Sequence, residues 1–491
     1  MTSKHRILLL MIVLCLLFWA SHNLAINAFP PFIDETIHIF TTEKIPTTNI
    51  LFNAHISRQL TIWWYFLFAP TSSSDPIWVS RIATLFITTI GFAAVVATGR
   101  LIGSLRGMGI AGFLLIFSIY HYFFGRLALA DPLSSSLVLV AVHFAYRLKH
   151  RYIYTDAILC GFFLFLAFIA KTNALPYFVL PILAGMFLWE SHRPLVKNLK
   201  WVAISLGVGL GLSAIFIIVL RLRGYDYLFS SFAFAVGGRY TTTASQAVQL
   251  FNIPQILEHL LIRVGMIVAY SGLPYLILAI GSLFFSLWKR QFFLLAVLAI
   301  PSSILVISGV QETRYWYAPL ATLIMLIMFV LNDLATRHKF IERFFFPIII
   351  VFGLVVALPF WLTGTQSPLN MPLDEFDKRE YVNSDAAGSA LDEVIAILES
   401  RNPIRVIGAL ANCDGFRYRA WQKLLVECLR MRATGEDATA IAVYANAFDN
   451  KDTYIVLETS PYAPAIVNGT IIAIVERPTG LATLTIYQLS K

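Results

Sequence analysis

Phe32-Ile33-Asp34-Glu35-Thr36-Ile37-His38 stands just past a run of apolar residues that extends from Ile7 to about Ala28. A helical run of that length spans the hydrocarbon core of a bilayer. Two adjacent carboxylates are costly inside lipid and useful at its edge. The pair therefore marks where the chain leaves the membrane, and the other apolar runs can be laid out from there. Lys4 and Arg6 precede the first run and place its N-terminus in the cytoplasm. A cleaved signal peptide is the competing reading. Against it, the run is long and no clear small-residue cleavage site precedes Pro30-Pro31.

Of the 491 residues, 58% are hydrophobic and 13% charged. That balance leaves too little polar surface for a water-soluble protein of this length. The expected fold is an all-α polytopic membrane domain of about 11 transmembrane helices, followed by a small C-terminal α/β domain. After the first span, further spans are predicted near 77–99, 107–125, 132–148, 154–170, 174–189, 201–220, 262–287, 292–309, 317–335 and 344–363. Residues 29–76 form a long first outer loop. Within it, Leu60–Phe68 is apolar but too short to cross and reads as an interfacial helix. Connections on the N-terminal side of the membrane carry 15 basic residues against four acids, and the opposite side carries 10 against eight. The basic side is cytoplasmic. An odd number of spans then puts the C-terminus outside, with Asp34.

The predicted membrane domain is 1–363 and the tail is 364–491. The tail holds 12 Lys and Arg against 16 Asp and Glu, so it is mildly acidic while the rest of the chain is basic. The basic residues are scattered over short loops and form no face for nucleic acid. In the tail, helix-like Leu391–Ser400 and Arg417–Arg430 alternate with β-like runs at 404–409, 438–444, 453–457, 470–475 and 482–489, the pattern of a small α/β domain. Cys15 and Cys160 lie in apolar runs and read as packing residues. Cys413 and Cys428 are either bonded or free. No internal repeat is visible, so the inverted-repeat signature of many transporters is missing.

The polar residues with chemical potential fall on the outer side. Asp34 and Glu35 follow the first span. Arg126 and Asp131 lie between the third and fourth, Lys171 between the fifth and sixth, and Glu312, Arg314 and Tyr315 between the ninth and tenth. A carboxylate suits a general base that takes the proton of an attacking hydroxyl. Cations suit a phosphate that must be held and stabilised as it leaves. Together they describe sugar transfer from a polyprenyl phosphate, a single displacement that inverts the anomeric centre. Plainer readings stand beside these. Asp34-Glu35 fits a helix start favoured by the dipole, and Arg126 and Lys171 fit snorkelling anchors. Asp131 before Pro132 fits a cap, and Arg314 with Tyr315 fits an interfacial belt. His38 falls four residues after Asp34, which admits a metal pair with Asp34 or Glu35 but equally a structural histidine. His55 is similarly ambiguous.

Phe32-Ile33-Asp34-Glu35 with His38 resembles the first extracytoplasmic loop of the protein O-mannosyltransferases and lipid A aminoarabinose transferases, which are C-type (GT-C) integral-membrane glycosyltransferases. Arg126-Leu127-Ala128-Leu129-Ala130-Asp131-Pro132-Leu133 is similar to their second acidic motif. Ala170-Lys171-Thr172-Asn173-Ala174-Leu175-Pro176 is similar to their lysine motif, and Arg314-Tyr315 followed by Pro319 to their late Arg-Tyr-and-Pro motif. The order of the motifs is more specific than any one of them. The resemblance implies a polyprenyl-phosphate sugar donor and inversion. Asp34 would be the catalytic carboxylate and Glu35 its supporting neighbour. Lys171 and Arg314 would approach the donor phosphate, and Asp131 would shape the sugar pocket. His55 is followed by Ile56-Ser57-Arg58 where the family often has His-Pro-Pro, which leaves its place in substrate binding open.

The expected protein is thus an inverting glycosyltransferase of a bacterial inner membrane. Its partners are a polyprenyl-phosphate-linked sugar, a hydroxyl acceptor and the lipid bilayer. No cofactor is required by this reading, and a divalent metal stays open. A carrier or flippase for a lipid-linked sugar is the alternative.

Overall fold

The computed structural model describes residues 3–46, 58–151, 153–188, 195–223, 253–307, 312–384, 386–429, 452–459, 469–478 and 483–489. In chain order the helices are α1 (Ser3–Asn23), α2 (Ile33–Lys44), α3 (Gln59–Phe68), α4 (Pro76–Ile116), α5 (Ile119–Phe124), α6 (Ala130–Arg151) and α7 (Tyr154–Ala170). A 3-10 turn at Thr172–Val179 leads into α8 (Leu180–Phe187), α9 (Leu195–Leu222), α10 (Ile253–Trp288) and α11 (Phe292–Ile307). Another, Thr313–Trp316, precedes α12 (Tyr317–Arg337) and α13 (Lys339–Gln366). The tail contributes α14 (Leu391–Arg401), β1 (Arg405–Ala409), α15 (Cys413–Arg419), β2 (Val426–Cys428), β3 (Thr453–Thr459), β4 (Gly469–Glu476) and β5 (Thr483–Leu489).

Among the described residues, six helices are long and apolar enough to cross a membrane. They are Lys4–Asn23, Pro76–Ile116, Asn198–Leu222, Ile253–Trp288, Thr313–Arg337 and Phe346–Gln366. Three shorter apolar helices, Tyr154–Ala170, Thr172–Phe187 and Phe292–Ile307, fall below that length. Leu222, Val196, Ile277, Phe284 and Val355 lie open on helix surfaces, a face that suits lipid and not water. The chain is an integral membrane protein.

Contacts divide it into two compact units. The first comprises Met1–Leu24, Thr47–Trp64 and Ile82–Gln366; the second comprises Ala25–Pro46, Tyr65–Arg81 and Ser367–Lys491. In the first unit, α12 is deeply buried, with Leu320 and the run from Leu323 to Met328 all buried. Small residues let backbones close on one another without a hydrophobic drive between helices. On α7, a side-chain carbon at Gly161 would sit 2.2 Å from the Ser205 carbonyl of α9. Helix α4 is two helices in one: Gly103 and Ser104 leave helical geometry, and Ser104 takes a positive φ of 58°. That break separates the runs read at 77–99 and 107–125. Gly99 and Gly107 meet across it so closely that a carbon on Gly107 would lie 2.4 Å from the Gly99 carbonyl.

The second unit is built on a five-stranded sheet in the order β2-β1-β3-β5-β4. Strand β1 runs parallel to β2 and β3, whereas β5 pairs antiparallel with β3 and β4. Helix α14 covers one face, where Leu391, Val394 and Leu398 join Val406, Phe416, Val456 and Leu484 in one core. Ile407, Ile455, Leu457 and Leu489 form a second core. Cys413 and Cys428 are bonded. Here the structure corrects the expected helix over 417–430. The helix stops at Arg419, Gln422 takes a positive φ of 64°, and β2 follows. The disulfide and the pairing of Val426 with Val406 draw those residues into the sheet. The β-like run at 438–444 lies outside the described residues.

Candidate active site

Asp34, Glu35 and His38 belong to α2 in the second unit. Pro30-Pro31 disfavours helix immediately upstream, so α2 opens at Ile33. Two acids in the first turn match the positive end of the helix dipole. They diverge in environment. Glu35 is fully buried and accepts from the Phe32 backbone N–H at 2.9 Å, closing the helix start. Both its oxygens also accept from Arg81, at 2.9 Å from Nε and 2.8 Å from Nη2. Arg81 is itself fully buried and donates further to the carbonyls of Ile26, Phe29 and Pro30. One guanidinium thus ties the chain before α2 to the first turn of α2. Asp34, next to this pair, keeps its side chain part-exposed. His38 is buried beside the Tyr65 ring, with ring centroids 5.7 Å apart. Among the described residues, no group of three or more His, Cys, Asp and Glu is arranged to hold a metal.

Asp131, Lys171, Arg314 and Tyr315 come together in the first unit. Asp131 opens α6, and Lys171 stands in extended backbone where α7 ends. Lys171 Nζ donates to both oxygens of Asp131, at 2.7 and 2.8 Å. Asn173 donates to the same carboxylate at 3.3 Å, and Arg314 Nε lies 3.6 Å from it. The Lys171 ammonium sits 4.3 Å from the centre of the Tyr315 ring. Asp131, Lys171 and Arg314 are all buried. Burial pulls the Lys171 ammonium down to about 8. Asp131 opposes that shift, and Arg58 and Arg314 add to it. Two buried cations thus meet at one carboxylate, an arrangement of charges that suits an anion.

The other expected residues fall elsewhere. Arg126 donates to the Leu24 carbonyl at 2.8 Å and to the Tyr122 hydroxyl at 2.6 Å, with its guanidinium 4.5 Å from that ring. It secures the end of α1. Glu312 directly precedes the 3-10 turn of Arg314. His55 lies outside the described residues. Sequence reasoning missed three residues. Arg81 was legible only as a charge inside an apolar run. Arg58 and Asn412 carried no signal.

The whole chain superposes on a crystal structure of ArnT from Cupriavidus metallidurans bound to undecaprenyl phosphate. The TM-score is 0.59 at 12% identity, over 99% of this chain and 98% of that one. This is the fold of a C-type integral-membrane glycosyltransferase. The apo structure of the same ArnT matches with a TM-score of 0.57 at 10% identity, again over 99% and 98% of the two chains. The C-type fold therefore accounts for both units, membrane helices and tail. The sequence matches no family model, and no curated protein matches it. At these identities the likeness is one of fold, and chemistry must be argued from the residues.

Proposed function

We propose that the protein is an inverting glycosyltransferase that moves a sugar from a polyprenyl phosphate to an acceptor hydroxyl. The observation that carries this reading is the buried cluster in which Lys171 and Arg314 share Asp131. A site where two buried cations converge suits a phosphate. The ArnT of the same fold was crystallised with undecaprenyl phosphate, which supports a lipid phosphate as the ligand class. In the reaction, the Asp34 carboxylate takes the proton of the acceptor hydroxyl. The hydroxyl oxygen bonds to the anomeric carbon as the bond from that carbon to the phosphate oxygen breaks. The electron pair leaves with the polyprenyl phosphate, whose charge Lys171 and Arg314 stabilise. Asp131 and Tyr315 hold Lys171 and line the sugar side, Glu312 balances charge, and Glu35 supports the helix start. A divalent metal is not needed for these steps.

In this reading residues 1–363 form the membrane domain with eleven spans, and 364–491 lie outside the cytoplasm with Asp34. The Cys413–Cys428 bond supports that orientation, since such bonds persist in oxidising compartments. A bacterial inner membrane fits both. The test is mass analysis of envelope glycans and glycoproteins in a strain lacking the protein. Wild type should restore a missing glycan, and the Asp34→Asn protein should reach the membrane at normal level without restoring it. Restoration by Asp34→Asn would overturn the assignment of the base. A lipid-linked sugar that changes membrane leaflet with no new glycosidic bond would turn the reading to a flippase.

A further inference from the structure

Asn412 is a buried amide whose side chain joins separate stretches of the second unit. Its Nδ2 donates to the carbonyls of Pro31 and Ala386, each at 2.9 Å. Its Oδ1 accepts from the Gly415 backbone N–H at 3.1 Å and from the Thr36 hydroxyl at 3.3 Å. Both donor hydrogens of the amide and one acceptor lone pair are engaged, and the Thr36 hydroxyl, whose single hydrogen also faces the Ile33 carbonyl at 2.9 Å, lies against the other. Capping α15 needs only the bond to Gly415. Two of the other bonds reach the turn that carries Asp34, at Pro31 before it and Thr36 after it. The third reaches Ala386, whose carbonyl also accepts from the Ile33 N–H at 3.0 Å.

The surroundings reinforce the grip. Phe32 bridges Ala387. Gly388 lies so close that a side-chain carbon there would sit 2.5 Å from Pro31. At the far end of α2, Glu43 accepts from Arg417 at 2.6 Å and from the Tyr418 hydroxyl at 2.7 Å. Helix α15 therefore holds α2 at both ends. The residue after Asn412 is Cys413, fixed covalently to Cys428 at the end of β2. Asn412 thus stands on a rigid base while it fixes the first turn of α2.

We propose that Asn412 is a positioning residue for Asp34, setting the direction in which that carboxylate leaves the first turn of α2. The inference rests on Asp34 being the base. Its test uses Asn412→Ser in the full-length protein. Serine caps a helix about as well as asparagine but is too short to reach Pro31 and Ala386. Three measurements are made: undecaprenyl phosphate binding in lipid nanodiscs, envelope glycan product per unit of protein in the deletion strain, and backbone hydrogen exchange. Binding should stay within about twofold of wild type while product falls on the order of tenfold to a hundredfold, as for a misdirected catalytic group. Exchange should rise over residues 31–36 and stay unchanged in β3. A merely structural role would lower binding and product together, and that result overturns the inference. Wild-type product from Asn412→Ser, with Asp34→Asn inactive, overturns the positioning role alone. Wild-type product from Asp34→Asn removes the base assignment and the inference with it.

Discussion

Lys171 illustrates how one side chain links burial to ligand choice. Its ammonium is brought down to about 8 by burial, although Asp131 works to keep it charged. As pH rises through that value the charge is lost, and a bound phosphate loses a partner. Undecaprenyl phosphate affinity should therefore decline above pH 8, by up to about tenfold per pH unit. Arginine stays charged throughout, so Lys171→Arg should give a level profile from about pH 7.5 upward, where the phosphate no longer titrates. Titration in nanodiscs from acid to alkaline pH checks both, and a level wild-type profile would detach Lys171 from the phosphate. The cluster of Asp131, Lys171 and Arg314 was legible in the sequence because each residue sits at the end of an apolar run, where a charge demands a reason. Arg81 was less so, because a single arginine near the start of a span resembles an anchor. Its partner Glu35 looked like half of a catalytic pair, and only the fold reveals two oxygens already engaged. Asn412 was illegible: a neutral amide in a tail has no pattern until its partners are brought to it.

At the level of elements, the apolar runs marked the helices well because lipid leaves the backbone few alternatives. Helices α7 and α12 begin where the apolar runs placed them, at Tyr154 and Tyr317. The tail was harder to read. Residues 417–430 are rich in helix formers, yet three of them are strand, because sheet pairing and a cross-link outweigh local preference. The disulfide closes a loop of separation 15, for which chain-entropy estimates give roughly 3 kcal/mol. Replacing both cysteines by serine should lower the unfolding free energy of the second unit by about that amount. A denaturant titration followed by hydrogen exchange in β1 and β3 measures it. Exchange as slow as in wild type would show that the cross-link adds no stability. The same double variant should lower glycan product without weakening lipid-phosphate binding, since it loosens the base on which α15 stands.

On the scale of the whole molecule, membrane class and the presence of a tail followed from composition, because a chain this apolar has no other stable solvent. The makeup of the second unit did not. It draws on three separate stretches, Ala25–Pro46, Tyr65–Arg81 and Ser367–Lys491, and nothing local announces that the first two join the third. A chain stopped after Gln366 should therefore insert its helices yet leave residues 25–46 open to protease added from outside, whereas the full chain protects them. Protection of that segment in the shortened chain would show that it holds its structure without the tail. The bond between Pro31 and Asn412 also spans 381 residues. At ribosomal speeds of about 5–20 residues per second, the segment bearing Asp34 waits roughly 20 to 80 seconds for its partner to be synthesised. For that interval residues 25–46 lack the partners that complete the second unit. If Asp34 is the base, as proposed, the turn that carries it is completed only with the last quarter of translation, and an interrupted message should yield no active protein.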